Sequence, residues 1–223
     1  MPGYQVKYET VTVGGLDYRI RSLLDLQQYS DPLGEAERAG ISPASWPLFG
    51  HLWPSARVLA GIMHSCVLTG KRILEIGGGL ALASLVVHRR AGDMTVSDWH
   101  PLSLPFLNAN LRLNHLGPLK YQTGNWAGQQ SALGRFDLII GSDVLYERQQ
   151  PGQLAAFIAS HAASSGQVII VDPDRGNHVR FCRAMTDLGY GFRTRRAERT
   201  LENGAAYKGR ILTFSSSWAA VPA

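Results

Sequence analysis

Glu75-Ile-Gly77-Gly78-Gly79-Leu80-Ala81, with Asp98 about 20 residues beyond the glycines, is the part of this sequence whose residue types imply chemistry most directly. A β-prone run, Arg72 to Ile76, feeds the glycines, and a helix-like segment from Leu80 to His88 leaves them. Glycines at such a junction let the backbone turn sharply and let a ligand approach the peptide groups closely. The next apolar run, Met94 to Ser97, ends in Asp98, and an acidic side chain at that spacing is the expected acceptor for two ribose hydroxyls. The pattern implies a nucleoside-bearing cofactor. A plain glycine turn in an ordinary α/β protein is the competing reading, and Asp98 weighs against it.

The glycine spacing narrows the choice. A dinucleotide fingerprint needs G-x-G-x-x-G/A, with a small last residue for close helix–strand packing. Here Gly77-x-Gly79-x-x leads to the bulky Leu82. Further polar residues fall where predicted strands end: Asn125, Asp143 and Asp172, which with Asp98 makes four predicted strands converging on one site. In open α/β sheets ligands bind at those carboxyl ends. Trp99 follows Asp98, Trp126 follows Asn125, and Tyr146 follows Asp143 by three residues.

The elements that must hold these residues can be read from periodicity. Residues 9–21 alternate apolar and polar around Gly14-Gly15, a hairpin signal. Asp25 to Ala44 is polar and turn-rich, which suits a lid or connecting segment. Trp46-Pro-Leu-Phe49-Gly-His51-Leu-Trp53-Pro54 follows, and Ser55 to Leu68 reads as a helix with Ser55 as its N-cap. Strands are then expected near 72–77, 93–98, 119–124, 136–142 and 167–172, and helices near 80–90, 101–114, 150–163 and 177–188. Extended segments at about 190–200 and 206–215 flank Glu202-Asn203-Gly204, a hairpin turn. This order predicts an α/β, Rossmann-like, seven-stranded, mostly parallel sheet with helices on both faces, and an N-terminal β-hairpin extension. Residues 1–45 form the hairpin and lid, and 46–223 the main domain.

At 223 residues the chain suits one α/β domain, and 45% hydrophobic with 17% charged residues is a globular composition. No apolar run reaches the length of a membrane span, and residues 1–10 lack the apolar core of a signal peptide. Cys66 and Cys182 are far apart, expected as reduced thiols of a cytoplasmic protein. Among the seven histidines, His51, His88, His100, His115 and His161 show no paired metal-ligand spacing, so no metal is expected. Ser142 lacks a G-x-S-x-G elbow, which argues against a serine hydrolase. A net charge of +5 invites acidic partners, although Arg193 and Arg195 alternate in a predicted strand and suit its solvated face.

The Glu75-x-Gly77-x-Gly79 pattern is similar to the first motif of the seven-β-strand S-adenosylmethionine methyltransferases. That cofactor has no pyrophosphate to seat, so a third glycine is dispensable. Leu52-Trp53-Pro54-Ser55, Asp143-Val-Leu-Tyr146 with Glu147, and Asp172-Pro-Asp-Arg175 complete a resemblance, over about residues 46–190, to the family 16 protein lysine methyltransferases, the group of the electron-transfer-flavoprotein β-subunit enzyme. Two departures stand out: Ala81 replaces a frequent third glycine, and Asn125 stands where many relatives carry an acid near the adenine.

The resemblance implies S-adenosyl-L-methionine as cofactor, bound by Trp53, Glu75, Gly77, Gly79, Asp98, Trp99, Asn125, Trp126 and Asp143, with Asp143 and Tyr146 as catalytic residues. Asp143 would orient an incoming lysine amine; alternatively it caps the following helix, and Tyr146 is a packing aromatic. Trp126 would cover the adenine or sit in the core. Trp53 would wall the cleft, or join Trp46 and Phe49 in a hydrophobic clasp. Arg175 would pair with Asp143 or Asp174. Base-amine methyltransferases resemble one another in [DN]-P-P-[YF], and Val144 and Leu145 break that pattern, which argues against nucleic acid. A protein substrate is the implied partner, with a small-molecule amine, RNA, or an inactive cofactor-binding module as the alternatives.

Overall fold

The computed structural model describes residues 3–126, 133–146, 150–198 and 206–216. The alternating N-terminal segment forms an antiparallel hairpin, β1 (Val6–Val13) and β2 (Leu16–Leu23), with Val13 opposite Leu16 across the two expected glycines. The lid segment contains a four-residue helix, α1 (Glu35–Arg38), and a 3-10 turn spans Trp46–Gly50. The helix α2 (Pro54–Ser65) begins one residue earlier than expected. Trp53 is its N-cap and Pro54 occupies its first position, where a missing N–H costs nothing. Ser55 therefore does not cap; its hydroxyl meets that of Tyr207 at 2.7 Å.

Strands and helices then alternate as expected: β3 (Arg72–Ile76), α3 (Leu82–Arg89), β4 (Asp93–Asp98), α4 (Ser103–Leu113), β5 (Lys120–Thr123), β6 (Phe136–Ser142), α5 (Gln150–His161), β7 (Ala162–Asp172), α6 (His178–Asp187), β8 (Gly191–Arg196) and β9 (Arg210–Ser215). Strand β7 starts five residues sooner than the sequence suggested, with a register irregularity between Phe136 and Leu138 where it joins β6. The seven-stranded sheet has the order β5-β4-β3-β6-β7-β9-β8. Strands β3 to β7 are parallel, and β9 runs antiparallel between β7 and β8. The turn expected at Glu202-Asn203-Gly204 lies outside the described residues, as do Glu147 and Arg199.

Strand alternation divides the interior into two cores, one on each face. Ile73, Leu138, Ile140, Ile169 and Val171 face α2, α3, α4 and the hairpin. Leu74, Ile76, Ile139, Val168 and Ile170 face α5 and α6. The chain crosses from one side of β3 to the other at the β3/β6 boundary, so the loops after these strands open a crevice there. Among the described residues no helix is long and apolar enough to cross a membrane.

The hairpin is joined to α4 by two amide side chains that act as a substitute strand. Asn110 Oδ1 accepts the Arg21 N–H at 2.7 Å, and Asn114 Oδ1 accepts the Arg19 N–H at 2.9 Å. Asn114 Nδ2 returns a bond to the Arg19 carbonyl at 2.7 Å. Both asparagines are buried. Asn110→Leu, which orphans the Arg21 N–H against an apolar side chain, should lower unfolding stability by about 1–3 kcal/mol. Urea denaturation checks this, and an unchanged midpoint would mean that water replaces the bond.

Candidate active site

The chain reverses between β3 and α3 through residues that side chains would obstruct. Gly77 has φ 58°, and a Cβ there would meet Val144 Cγ1 at 2.7 Å. Gly79 has φ 52°, and a Cβ would meet the Phe49 carbonyl oxygen at 2.8 Å. Ala81, the departure noted above, also adopts a left-handed φ of 58° as the N-cap of α3, a conformation that costs a non-glycine residue about 1–2 kcal/mol.

Two carboxylates hold this loop. Glu75, expected among the cofactor-binding residues, does not border the cleft. It lies buried behind the loop, where Oε2 accepts the Ser84 N–H at 3.0 Å and the Ser84 hydroxyl. The bond to the third residue of α3 satisfies one of that helix's free amides. Burial pushes the Glu75 carboxyl up to about 7, against the two Ser84 bonds. Asp98, at the end of β4, does line the cleft. Its Oδ2 accepts the Gly79 N–H at 2.8 Å, and its Oδ1 accepts the His100 N–H at 2.8 Å. Burial raises the Asp98 carboxyl, and these amide bonds oppose the rise.

A cleft of about 320 Å³ opens at the carboxyl ends of the strands, and Gly77, Gly79, Asp98, Trp99, Asn125, Trp126, Asp143, Tyr146 and Trp53 all border it. Its first wall comes from the N-terminal segment: Ala39, Gly40 and Ile41 reach it, and the Ala39 carbonyl accepts the Trp99 indole N–H. The sequence reading left Trp53 between two roles. The structure separates it from the clasp. Trp46 is buried against Phe49, which stacks on His100 at 3.8 Å and 14°, while Trp53 faces the cleft with its indole N–H on the Leu48 carbonyl at 2.9 Å. Burial pushes His100 down to about 3, so this ring is neutral. Trp126 borders the cleft and packs partly against the α5/α6 core.

The second wall is built on Asp143. Its φ of 55° is left-handed, and the turn swings its carboxylate into the cleft. Oδ2 accepts the Arg175 guanidinium at 3.0 Å, while Oδ1 is buried with no hydrogen-bond partner among the described residues. Burial raises the Asp143 carboxyl, Arg175 lowers it, and nearby Asp172 raises it again. The Arg175 guanidinium also stands 5.8 Å from the Trp53 ring centroid. Tyr146 is partly exposed at the rim.

Asp172 does not join the site. It is buried, and its Oδ1 accepts the Asp174 N–H at 2.8 Å, shaping the turn that carries Arg175. Asp174 pairs with Arg210 at 2.8 Å, not with Arg175. Asp172, Asp174 and His178 place ligand-type atoms within 4.8 Å of one another, but the Arg210 guanidinium already neutralises Asp174. Gln153 of α5 also borders the cleft, and no sequence signal marked it.

A strand order of this kind, with a glycine turn after the first sheet strand and an acid after the second, is that of the S-adenosylmethionine-dependent methyltransferase fold. Among solved structures, the Thermus thermophilus 16S rRNA N2 G1207 methyltransferase in complex with AdoMet and guanosine superposes with a TM-score of 0.62 at 14% identity, covering 94% of this chain and 50% of that one. A methyltransferase from Pyrococcus furiosus superposes with a TM-score of 0.57 at 19% identity, covering 70% and 80%. The model of the lysine methyltransferase family matches residues 47–186, and the chain belongs to that family. It is 28% identical over 143 residues to the Mus musculus electron transfer flavoprotein beta subunit lysine methyltransferase, covering 62% of this chain and 55% of the relative. It is 30% identical over 151 residues to the Danio rerio protein N-lysine methyltransferase METTL21A, covering 63% and 67%. The chain spans about half the length of several curated relatives it matches, at 55%, 49% and 57%.

The cofactor of this family and fold is S-adenosyl-L-methionine, and the residues present fit it. Gly77 and Gly79 border the cleft with backbone that no side chain covers, and Asp98, which spends one bond of each carboxylate oxygen on a backbone amide, keeps lone pairs for donors in the cleft.

Glu75 also makes stability depend on pH. The folded protein keeps its proton to about pH 7, whereas the unfolded chain releases it near 4.5. Between those values unfolding releases a proton, so this group's contribution to stability falls as pH rises through the window. Glu75→Gln, which cannot ionise, should flatten that part of the profile. Denaturation midpoints at pH 5 and pH 8 for both proteins check it; parallel profiles would show that Glu75 stays ionised throughout.

Proposed function

We propose that this protein is an S-adenosylmethionine-dependent methyltransferase that modifies a lysine side chain of a protein substrate. One observation carries the reading. The glycine turn and Asp98 face Asp143, Tyr146 and Trp53 across a single cleft. The names of the relatives and the family support the choice of lysine. The two cysteines, both free, suit the reducing cytoplasm proposed as its compartment.

When bound, S-adenosylmethionine supplies an electrophilic methyl group that an amine lone pair can displace. The protein's part is alignment, electrostatics and exclusion of water. In this reading the amides of the glycine turn and the Asp98 carboxylate hold the cofactor's amino-acid and ribose parts, while Trp99 and Trp126 border its base. A lysine ammonium has a reference pKa of about 10.4 and must lose a proton before it can attack. Asp143 would receive the amine N–H at its unpartnered Oδ1 and point the nitrogen into the cleft. Arg175 opposes the upward pull that burial exerts on that carboxyl. Trp53 and Tyr146 give the mouth an aromatic lining that favours the neutral amine, and solvent carries the proton away.

Two substitutions separate binding from transfer. Asp98→Ala removes both the ribose acceptor and the anchor of the Gly79 N–H, so S-adenosylhomocysteine binding should weaken by about 1.5–3 kcal/mol in calorimetry. An unchanged dissociation constant would remove Asp98 from the cofactor site. Asp143→Asn should bind S-adenosylhomocysteine as the parent does while methyl transfer falls about 100-fold, the scale of loss when a reacting group is misplaced. Transfer is read with radiolabelled cofactor in a lysate separated into protein, nucleic-acid and small-molecule fractions. Label in a discrete protein band, lost in Asp143→Asn, supports the proposal. Label confined to another fraction would overturn the protein substrate, and cofactor binding with no label anywhere would overturn the activity.

A further inference from the structure

Residues 175–210 carry nine Lys and Arg against three Asp and Glu, a net of +6 in a chain whose total is +5. The rest of the protein is therefore nearly neutral, and its positive charge is concentrated in one stretch. Arg199 and Glu202, outside the described residues, cancel within it.

The sheet places this charge beside the cleft. Asp172 at the end of β7 is opposite Arg210, and Arg210 is opposite Arg196. The carboxyl end of β8 thus lies at the same end of the sheet as Asp143, with β9 and β7 between. Three strand spacings make that about 14 Å. Arg195 and Arg196 are exposed there, with Lys208 exposed nearby in sequence before β9. At the inner end, Arg175 is exposed and sits on Asp143. The two acids between them are occupied, since Asp172 is buried against its own turn and Asp174 is paired with Arg210, while Glu198 is exposed two residues after Arg196. A track of basic side chains therefore runs from the mouth of the cleft, where Arg175 is paired with Asp143, to the edge of the sheet, where Arg195, Arg196 and Lys208 carry the excess positive charge.

Edge strands often carry charges simply to prevent pairing with other chains. That accounts for Arg193 and Arg195, which share one face of β8. It does not account for Arg196 on the other face, nor for Arg175 and Lys208 off the strand. Nucleic acid would also answer positive charge, but among the described residues of β8 and β9 Phe192 is the one large exposed aromatic, a single stacking surface on this edge and not a row for successive bases.

We propose that this track binds an acidic stretch of the same polypeptide that presents the acceptor lysine. An extended chain rises about 3.4 Å per residue, so Asp or Glu about four residues from the lysine would reach Arg195 and Arg196. The inference rests on the protein-lysine reading above, and its test has a readout independent of methyl transfer.

The test uses the full chain and fluorescein-labelled peptides with a central lysine and either Glu or Gln at positions four and five residues away, together with a single-stranded RNA of equal net charge. Anisotropy should show the Glu peptide binding about 10-fold more tightly than the Gln peptide, with the advantage shrinking as salt shortens the reach of exposed charges. Arg195→Glu/Arg196→Glu should abolish the advantage. Lys71→Glu/Arg112→Glu, the same change in net charge at sites near the opposite end of the sheet, should keep it. Near-UV circular dichroism checks folding, and Arg195→Gln/Arg196→Gln gives the milder version of the same test. Equal binding of the Glu and Gln peptides, or tighter binding of the RNA, overturns the proposal. Preferential binding of the Glu peptide with no methylation, in a protein that binds S-adenosylhomocysteine, supports the track and overturns the lysine reading instead. Equal binding with equal methylation does the reverse.

Discussion

The cleft depends on two carboxylates at the ends of adjacent strands, Glu75 buried and Asp98 half-buried. A buried carboxylate is tolerated only when its lone pairs are well bonded. Glu75 meets this through the amide and hydroxyl of Ser84, and Asp98 through the amides of Gly79 and His100. These bonds tie β3 to the start of α3, and β4 to the middle of the glycine turn. The peptide groups of Gly77 to Gly79 are thereby presented in one shape, although glycine itself has no preference for it. Function and stability pull against each other here. A negative charge on Asp98 is costly in its half-buried position, and the amide bonds that offset the cost also shape the glycine turn.

The N-terminal extension is part of the same construction. Its hairpin is bonded to α4 through Asn110 and Asn114, and its aromatic segment packs Trp46 and Phe49 around the neutral ring of His100. The Phe49 carbonyl lies against Gly79, where a Cβ would approach to 2.8 Å, and the Ala39 carbonyl fixes Trp99. One wall of the cleft is thus supplied by residues that precede the first strand of the large sheet. The opposite wall, from the turns after β6 and β7, carries the charges: Asp143 and Arg175. The cleft thus has one wall lined by aromatic side chains and another that carries an ion pair.

Much of this was legible in the chain. The alternation of short β-prone runs with helical periodicity located every strand of the large sheet to within a few residues, except the early start of β7. That start follows from a register irregularity against β6, a property of two strands together. The reading of Ser55 as an N-cap failed because Pro54 is better suited to the first helical position than to the residue before a cap. Gln153 escaped notice because a single polar residue on a helix has no pattern until the helix is packed.

By itself the sequence determined the class of cofactor site and the order of elements around it. The spacing of three glycines and an acid is a local constraint on backbone, and the periodicities of 2 and 3.6 are properties of isolated elements. Only the tertiary structure decided which of the strand-end acids face the cleft. Glu75, Asp98, Asp143 and Asp172 are equivalent in the pattern, yet Glu75 points behind the loop and Asp172 into its own turn. Asp143 reaches the cleft because its backbone alone turns left-handed, at φ 55°, and finds Arg175 from the next strand's loop. The direction of a side chain at the end of a strand follows from one pair of dihedrals and the partner waiting for it. Both are set when distant segments pack, so residue type and spacing do not carry them.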